Sequence, residues 1–500
     1  MSESLRRHES SVEKRVSVAG EIVVNSEAFE VLSTLCDKFG SRFFATQEER
    51  ESAKFLATKL QGYGLRNVGV EAYTKYGWEN GELVDLWSWK RESAFLDLME
   101  PIHRQMPCIS LPYSPSTSDT GITAEIFNLE RGSQRYLLAH RGEIKAKLVL
   151  EGNYAQPGEY FAYSEPNGKD DDLYRPTIYG YLEQFGAAGF IYINRSFGGL
   201  AKTGTARFGR VGKIPACGVS RETSQFILRQ IAKGSVVANL RIKNTYSTGA
   251  KSYNVIAELP GQDSENVILV GGHYDGHDIA PGAMDDAAGA CVVLETARAL
   301  AKHGGEFKHT IRFCCFAGEE LGLNGSTGYV INHMDELKKI KLMINTDCAG
   351  ISATTGHSFQ VFGPEELTPF LEEMLNEMGT FDRDWELPKV TLSGKMPFLL
   401  YGDHWPFYMF GIPTVHFRDI PPDPIDELYS HTTEDTVDKV NVKGIKDAAV
   451  ILALALLRIA DEKEIPARHR RVDDVLSTLE EDGTAEILRV EKRWRRELPS

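Results

Sequence analysis

Cysteine is scarce in this chain: seven in 500 residues, an odd number, with no Cys-x-x-Cys pair. That excludes a small scaffold framed by disulfides, and the adjacent Cys314 and Cys315 sit in an apolar run, as reduced buried thiols do. Long apolar runs are lacking too. The longest clean one, Ala448–Leu457, is about half of what a bilayer crossing needs. The opening MSESLRRHESSVEKRVSVAGE carries basic residues but no apolar segment, so it does not read as a secretory leader, and a cytoplasmic location is expected. Positive charge is in deficit. With 56 Lys plus Arg against 71 Asp plus Glu, the net charge of −15 disfavours nonspecific binding to nucleic acid or to anionic membranes. There is no internal repeat and no low-complexity block. What is present is ordinary globular composition, 42% hydrophobic and 25% charged, in a chain too long for one core.

The texture changes along the chain. After an N-terminal arm, residues 1–24, a helical face carries Leu32, Leu35 and Phe39. A second helix starts after Thr46, with Glu48 and Glu49 in its first turn, and a strand covers Asn67–Tyr73. Residues 118–246 alternate short strands with glycines and read as a self-contained β-rich insert. From Ser252 the pattern is α/β. Strands at 266–271, 310–316, 342–347 and 414–417 alternate with helices at 286–302, 367–378 and 442–461, which predicts a mixed, mostly parallel sheet sandwiched by helices. Residues 25–117 and 247–461 would then form one discontinuous domain. In the tail, 462–500, one apolar stripe holds Val472, Val475, Leu476 and Leu479, and another holds Ile487, Val490 and Trp494. The tail is expected to pack on the body or on a second copy, so a homo-oligomer through these helices is one expectation. For the basic cluster from Arg493 to Arg496, interleaved glutamates and the acidic chain as a whole disfavour a nucleic-acid role.

Five segments carry chemistry. Gly271-Gly272-His273-Tyr274-Asp275 follows an apolar strand, where α/β sites usually lie, and offers an imidazole with an acid two residues on to fix its tautomer. Gly282-Ala283-Met284-Asp285-Asp286 opens a helix; its acids serve equally as caps or, for Asp285, as a carboxylate with one oxygen for each of two cations. Glu319 and Glu320 follow another apolar strand, an expensive place for two carboxylates unless cations offset the cost. Asp347 ends a third strand. His431, in Ser430-His431-Thr432-Thr433-Glu434-Asp435, precedes the last long helix, and Asp435 would orient it or cap the next segment. Taken singly, each reads as readily as a turn, a cap or a loop histidine. Together they supply imidazoles and carboxylates, a donor set that suits zinc rather than magnesium or calcium. Two divalent ions on a shared carboxylate suit hydrolysis of peptides or phosphate esters.

With GGHYD, GAMDD, GEELGLNGS, NTDCAG and SHTTEDT in that order, residues 25–461 resemble the co-catalytic di-zinc peptidases related to secreted bacterial aminopeptidases, carboxypeptidase Q and glutamate carboxypeptidase II. The insert, in KIPACGVSRE and GAAGFIYINR, resembles a protease-associated domain more loosely. The resemblance implies two zinc ions per chain and a peptide substrate. It implies that His273 and Asp347 hold one zinc, Glu320 and His431 the other, and Asp285 both. Glu319 would be the general base and Asp275 the partner that orients His273. His404, in Gly402-Asp403-His404-Trp405, would lie on the substrate side, with a packed loop or core histidine as the competing reading. Relatives that carry Tyr directly before the last histidine place an oxyanion donor there; here Ser430 stands in that position, so no donor is assigned. Aminopeptidase or dipeptidase action is the first expectation. A carboxypeptidase, a single-zinc glutaminyl cyclase and a noncatalytic binding protein on the same fold are the alternatives.

Overall fold

The computed structural model describes residues 3–79, 82–129, 133–151, 173–351, 356–382, 390–393, 400–420 and 428–494. Two eight-stranded sheets organise them. The first runs, edge to edge, Arg66–Tyr73, Ser252–Leu259, His309–Phe316, Asp263–His273, Ile340–Asn345, Thr414–Ile420, Gly356–Phe362 and Val390–Ser393. Its four middle strands, from His309–Phe316 to Thr414–Ile420, are mutually parallel. Antiparallel strands flank them. The central strand Asp263–His273 is buried continuously from Val267, which fits its unbroken apolar run. Ile268 and Val270 point into the core under helices Ala288–His303 and Val442–Ala460, while Leu269 points into the core under Asn324–Asn332 and His404–Met409. Helices therefore cover both faces, as the alternating pattern predicts.

The ten-residue apolar run lies inside Val442–Ala460, a core helix whose start is fixed by the Asn441 side chain accepting from the Lys443 and Gly444 amides. No helix among the described residues is long and apolar enough to cross a membrane. The expected N-terminal arm is helical from Glu3. Helix Glu3–Asn25 packs beside the two core helices and buries Val18, Ala19 and Ile22, a stripe at helical spacing.

The second sheet runs Arg104–Met106, Trp87–Glu100, Val237–Thr248, Ile122–Leu129, Leu148–Glu151, Gly189–Ile193, Ala216–Val219 and Ile109–Ser110. It begins at Trp87, earlier than the expected boundary at residue 118. The 14-residue strand Trp87–Glu100 pairs antiparallel with Val237–Thr248 along nearly its whole length. Alternating polar and apolar residues satisfy either sheet, so the sequence around Trp87 does not say which partner it takes.

The tail spends both apolar stripes on its own chain. Val475, Leu479 and Leu488 are buried against Leu400, Trp405, Tyr408 and Met409, and Val490 packs on Ile178 and Tyr179 of the second body. Glu491 accepts from Thr177 Oγ1 at 2.6 Å and from Tyr401 Oη at 2.7 Å, so the tail joins the two bodies. The stripes on which a homo-oligomer was expected thus face inward. Arg493 is buried at 2% exposure, not part of a basic surface; Arg495 and Arg496 lie outside the described residues.

Candidate metal centre

Three parallel neighbours deliver side chains at their C-terminal ends. His273 closes strand Asp263–His273, Glu319 and Glu320 follow His309–Phe316, and Asp347 follows Ile340–Asn345. The fourth element is the turn before helix Ala288–His303. Gly282 adopts φ 60°, a left-handed conformation in which an L side chain is strained, and aims Asp285 back across the strand ends. The Asp435 carboxylate holds that turn, accepting from Met284 N at 2.7 Å and Asp285 N at 3.2 Å. Asp286 faces away and braces the frame instead, accepting from Gly289 N and Cys348 N, both at 3.1 Å. His431 comes from the loop before helix Val442–Ala460. Its carbonyl accepts from Thr203 N of the second body at 2.8 Å.

These side chains converge into two groups. His273, Asp285 and Asp347 offer atoms that all lie within 4.8 Å of one another, and so do His277, Glu320 and His431. Asp285 joins them: its Oδ1 is 3.3 Å from His273 Nε2 and its Oδ2 is 2.9 Å from His431 Nε2. Glu319 Oε2 stands 3.9 Å from His273 Nε2, beside the groups rather than within either. Asp275 lies behind His273. Its carbonyl is 3.1 Å from His273 Nδ1, its Oδ1 is 3.5 Å from the same nitrogen, and Oδ1 also accepts from Glu319 N at 3.2 Å.

The electrostatics are those of a site built for cations. The ion-pair partners of Asp285, Glu319 and Glu320 among the described residues are imidazoles, not lysine or arginine. Burial pushes the Glu319 carboxyl well above its ordinary range, with Asp347 and Glu320 adding repulsion. Burial likewise lifts Glu320 to about 8, and it raises Asp347. Burial opposes ionisation of Asp285 as well, but the His273 and His431 imidazoles beside it outweigh it and hold this carboxyl low. Some buried polar atoms also have no hydrogen-bond partner among the described residues: His273 Nε2, Asp275 Oδ2 and both ring nitrogens of His277. Crowded acids and orphaned imidazole nitrogens are what divalent cations relieve, and the donor set of nitrogen and carboxylate oxygen fits zinc.

A cavity of about 200 Å³ opens onto these groups. Asp285, Glu319, Glu320, Asp347 and His431 line it from the first body, with Arg418 and His416 of strand Thr414–Ile420 beside them. Tyr174, Arg175 and Thr205 close it from the second body, so the insert contributes wall residues. His404 does not line it. That ring is fully buried, stacked on Phe362 at 5.0 Å between centroids, behind His416 at 5.1 Å. The position expected on the substrate side is thus a packed core ring.

Two features escaped the sequence reading. His277 stands with Glu320 and His431, although the motif was read only as far as Asp275; a second histidine four residues after the first, in a glycine-bounded turn, was the available signal. Ser430 donates through Oγ to Asp285 Oδ2 at 2.9 Å, a contact between positions 145 residues apart that no local pattern announces.

Residues 254–456 match peptidase family M28. The chain is 26% identical to carboxypeptidase Q of Mus musculus over 479 residues, 93% of this chain and 92% of that protein. A probable leucine aminopeptidase 2 of Trichophyton verrucosum is 33% identical over 207 residues, 39% of this chain and 40% of that one. Among solved structures, a peptidase M28 precursor from Shewanella amazonensis SB2B superposes with a TM-score of 0.74 at 21% identity, covering 92% of this chain and 99% of the other. A zinc aminopeptidase from Bacillus subtilis superposes at 0.62 and 23% identity, covering 89% and 98%.

Proposed function

We propose, from the match of residues 254–456 to peptidase family M28 and the similarity to carboxypeptidase Q over most of the chain, that this is a two-zinc exopeptidase acting on short peptides, of the aminopeptidase or dipeptidase type. The observation that carries this reading is Asp285, whose two oxygens each face a different histidine of a different group. His273 and Asp347 hold one zinc, Glu320 and His431 the other, and Asp285 both. Zinc bound there supplies Lewis acidity toward the scissile carbonyl and lowers the pKa of the attacking water.

The protein's own groups do the rest. Glu319, raised by burial and by the neighbouring acids, sits beside both groups, where it takes the proton of the attacking water and returns it to the leaving amine. Asp275 fixes the orientation of His273. Arg175 and Arg418, lining the same cavity, offer positive charge to a peptide carboxylate. A cavity of only about 200 Å³ favours chain ends over internal bonds. The second body, which we read as a protease-associated domain, supplies Tyr174, Arg175 and Thr205 as wall and steadies His431 through Thr203. The seven cysteines form no disulfide and five of them are buried, which supports work in a reducing compartment such as the cytoplasm.

The test is incubation of the zinc-loaded chain with a mixed library of di- to hexapeptides. Release of free amino acids from one end, lost on chelation and restored by zinc, is the expected outcome. Cleavage only at internal bonds, or activity that survives chelation, contradicts it.

A further inference from the structure

We propose that His277 is itself a zinc ligand, so that the Glu320–His431 ion is held by two imidazoles and the His273–Asp347 ion by one. The inference rests on the two-zinc reading above and adds a ligand to it.

His277 has the position. Its Nε2 lies 2.8 Å from Glu320 Oε2, and His431 Nε2 lies 3.4 Å from the same oxygen. Ligand atoms bound tetrahedrally at ordinary zinc distances stand roughly 3.3 Å from one another, and these separations straddle that value. The rings of His277 and His431 meet edge to face, 4.5 Å between centroids and 70° between planes, which brings both ring edges to the same carboxylate.

His277 also has no other occupation. It is 3% exposed, and neither ring nitrogen has a hydrogen-bond partner among the described residues. At 2.8 Å from a carboxylate oxygen that is notable: the distance suits a hydrogen bond but the angle does not. Nitrogen and oxygen are therefore close without being aimed at each other. Such a buried imidazole is hard to account for as packing alone.

The segment is held in place from both sides. Arg42, fully buried, donates to Tyr274 O at 2.6 Å and Gly282 O at 3.1 Å, and also to Pro281 O. Gly276 N donates to Ser41 O at 2.9 Å. From the second body Arg91 grips Asp278 through two hydrogen bonds of 2.9 and 2.8 Å. A loop that only covered the site would not need anchoring at both flanks of its one histidine; a ligand does, because the donor atom must be fixed to a fraction of an ångström. The two zincs are then unequal, and the two-imidazole ion is the one retained longer under chelation.

X-ray absorption at the zinc edge of the loaded full-length chain tests this directly. Expected are three imidazoles shared between two ions in the native chain and two in His277→Gln, whose amide keeps a polar partner for Glu320. A chelator titration should show the more tightly held zinc weakened at least tenfold in the same variant. Two imidazoles in the native chain, with an unchanged spectrum and unchanged zinc affinity in His277→Gln, overturns the assignment while leaving the two-zinc reading intact. A folded native chain that takes up no zinc removes both.

Discussion

In the second sheet Glu151 ends a parallel strand with 1% exposure, much as Glu319, Glu320 and Asp347 stand just beyond strand ends of the first. The surroundings differ. Arg195 reaches Glu151 Oε1 at 3.3 Å and the Ile193 amide donates to its Oε2 at 3.3 Å. Nearby acids are matched in the same way: Glu183 takes two hydrogen bonds from Arg207, and Asp97 one from Arg241. At the first sheet the acids outnumber their partners, and those partners are imidazoles. A buried carboxylate at a strand end is therefore not by itself a site. A surplus of such carboxylates, with no lysine or arginine ion-paired to Asp285, Glu319 or Glu320 among the described residues, is what calls for metal.

Four substitutions sharpen that contrast, from the largest effect to the smallest. Asp285→Ala removes the carboxylate common to both groups; zinc content should collapse and activity fall by more than about 10⁴-fold, measured by metal analysis and amino acid release. Glu319→Gln should keep both zincs yet lose about 10²–10⁴-fold in kcat. Near-normal turnover would remove Glu319 from the role of base. Asp435→Asn weakens the hold on the Asp285 turn, and a loss of about 10–100-fold in zinc affinity is expected, read by chelator competition. Glu151→Gln, in the matched sheet, should leave zinc content and activity unchanged.

Glu151 carries one further expectation. Burial raises its carboxyl pKa, so the fold favours the protonated form over the ionised one. Its contribution to stability is complete below the ordinary carboxylate range and declines as pH rises toward the elevated value. Glu151→Gln lacks that titration. The variant's melting temperature relative to the native chain should therefore climb as pH rises above about 4.5. A difference independent of pH would show that Arg195 neutralises Glu151 fully.

Much of the catalytic body was legible because its chemistry sits where periodicity changes. His273, Glu319, Glu320 and Asp347 each follow an apolar run, and a polar residue at that boundary stands out. The alternation of strands and helices gave the sandwich in the same way. What was not legible depends on partners far apart in sequence. Trp87–Glu100 looks the same whether it pairs with the first sheet or with Val237–Thr248. The stripes of the tail looked available to a second copy, although Trp405 and Tyr179 cover them. Local chemistry near a motif also misled at His404, which stacks on Phe362 in the core. His277 was passed over because the HxD pattern was complete without it.

We propose that the crowded acids at the C-terminal ends of the first sheet's middle strands hold two cations. Zinc content per folded chain, measured after loading and exhaustive removal of loosely bound metal, tests it most directly. Two zincs per chain, falling to none in Asp285→Ala while the native chain and the variant share one far-UV circular dichroism spectrum, is the expected result. A folded native chain that retains no zinc would contradict it.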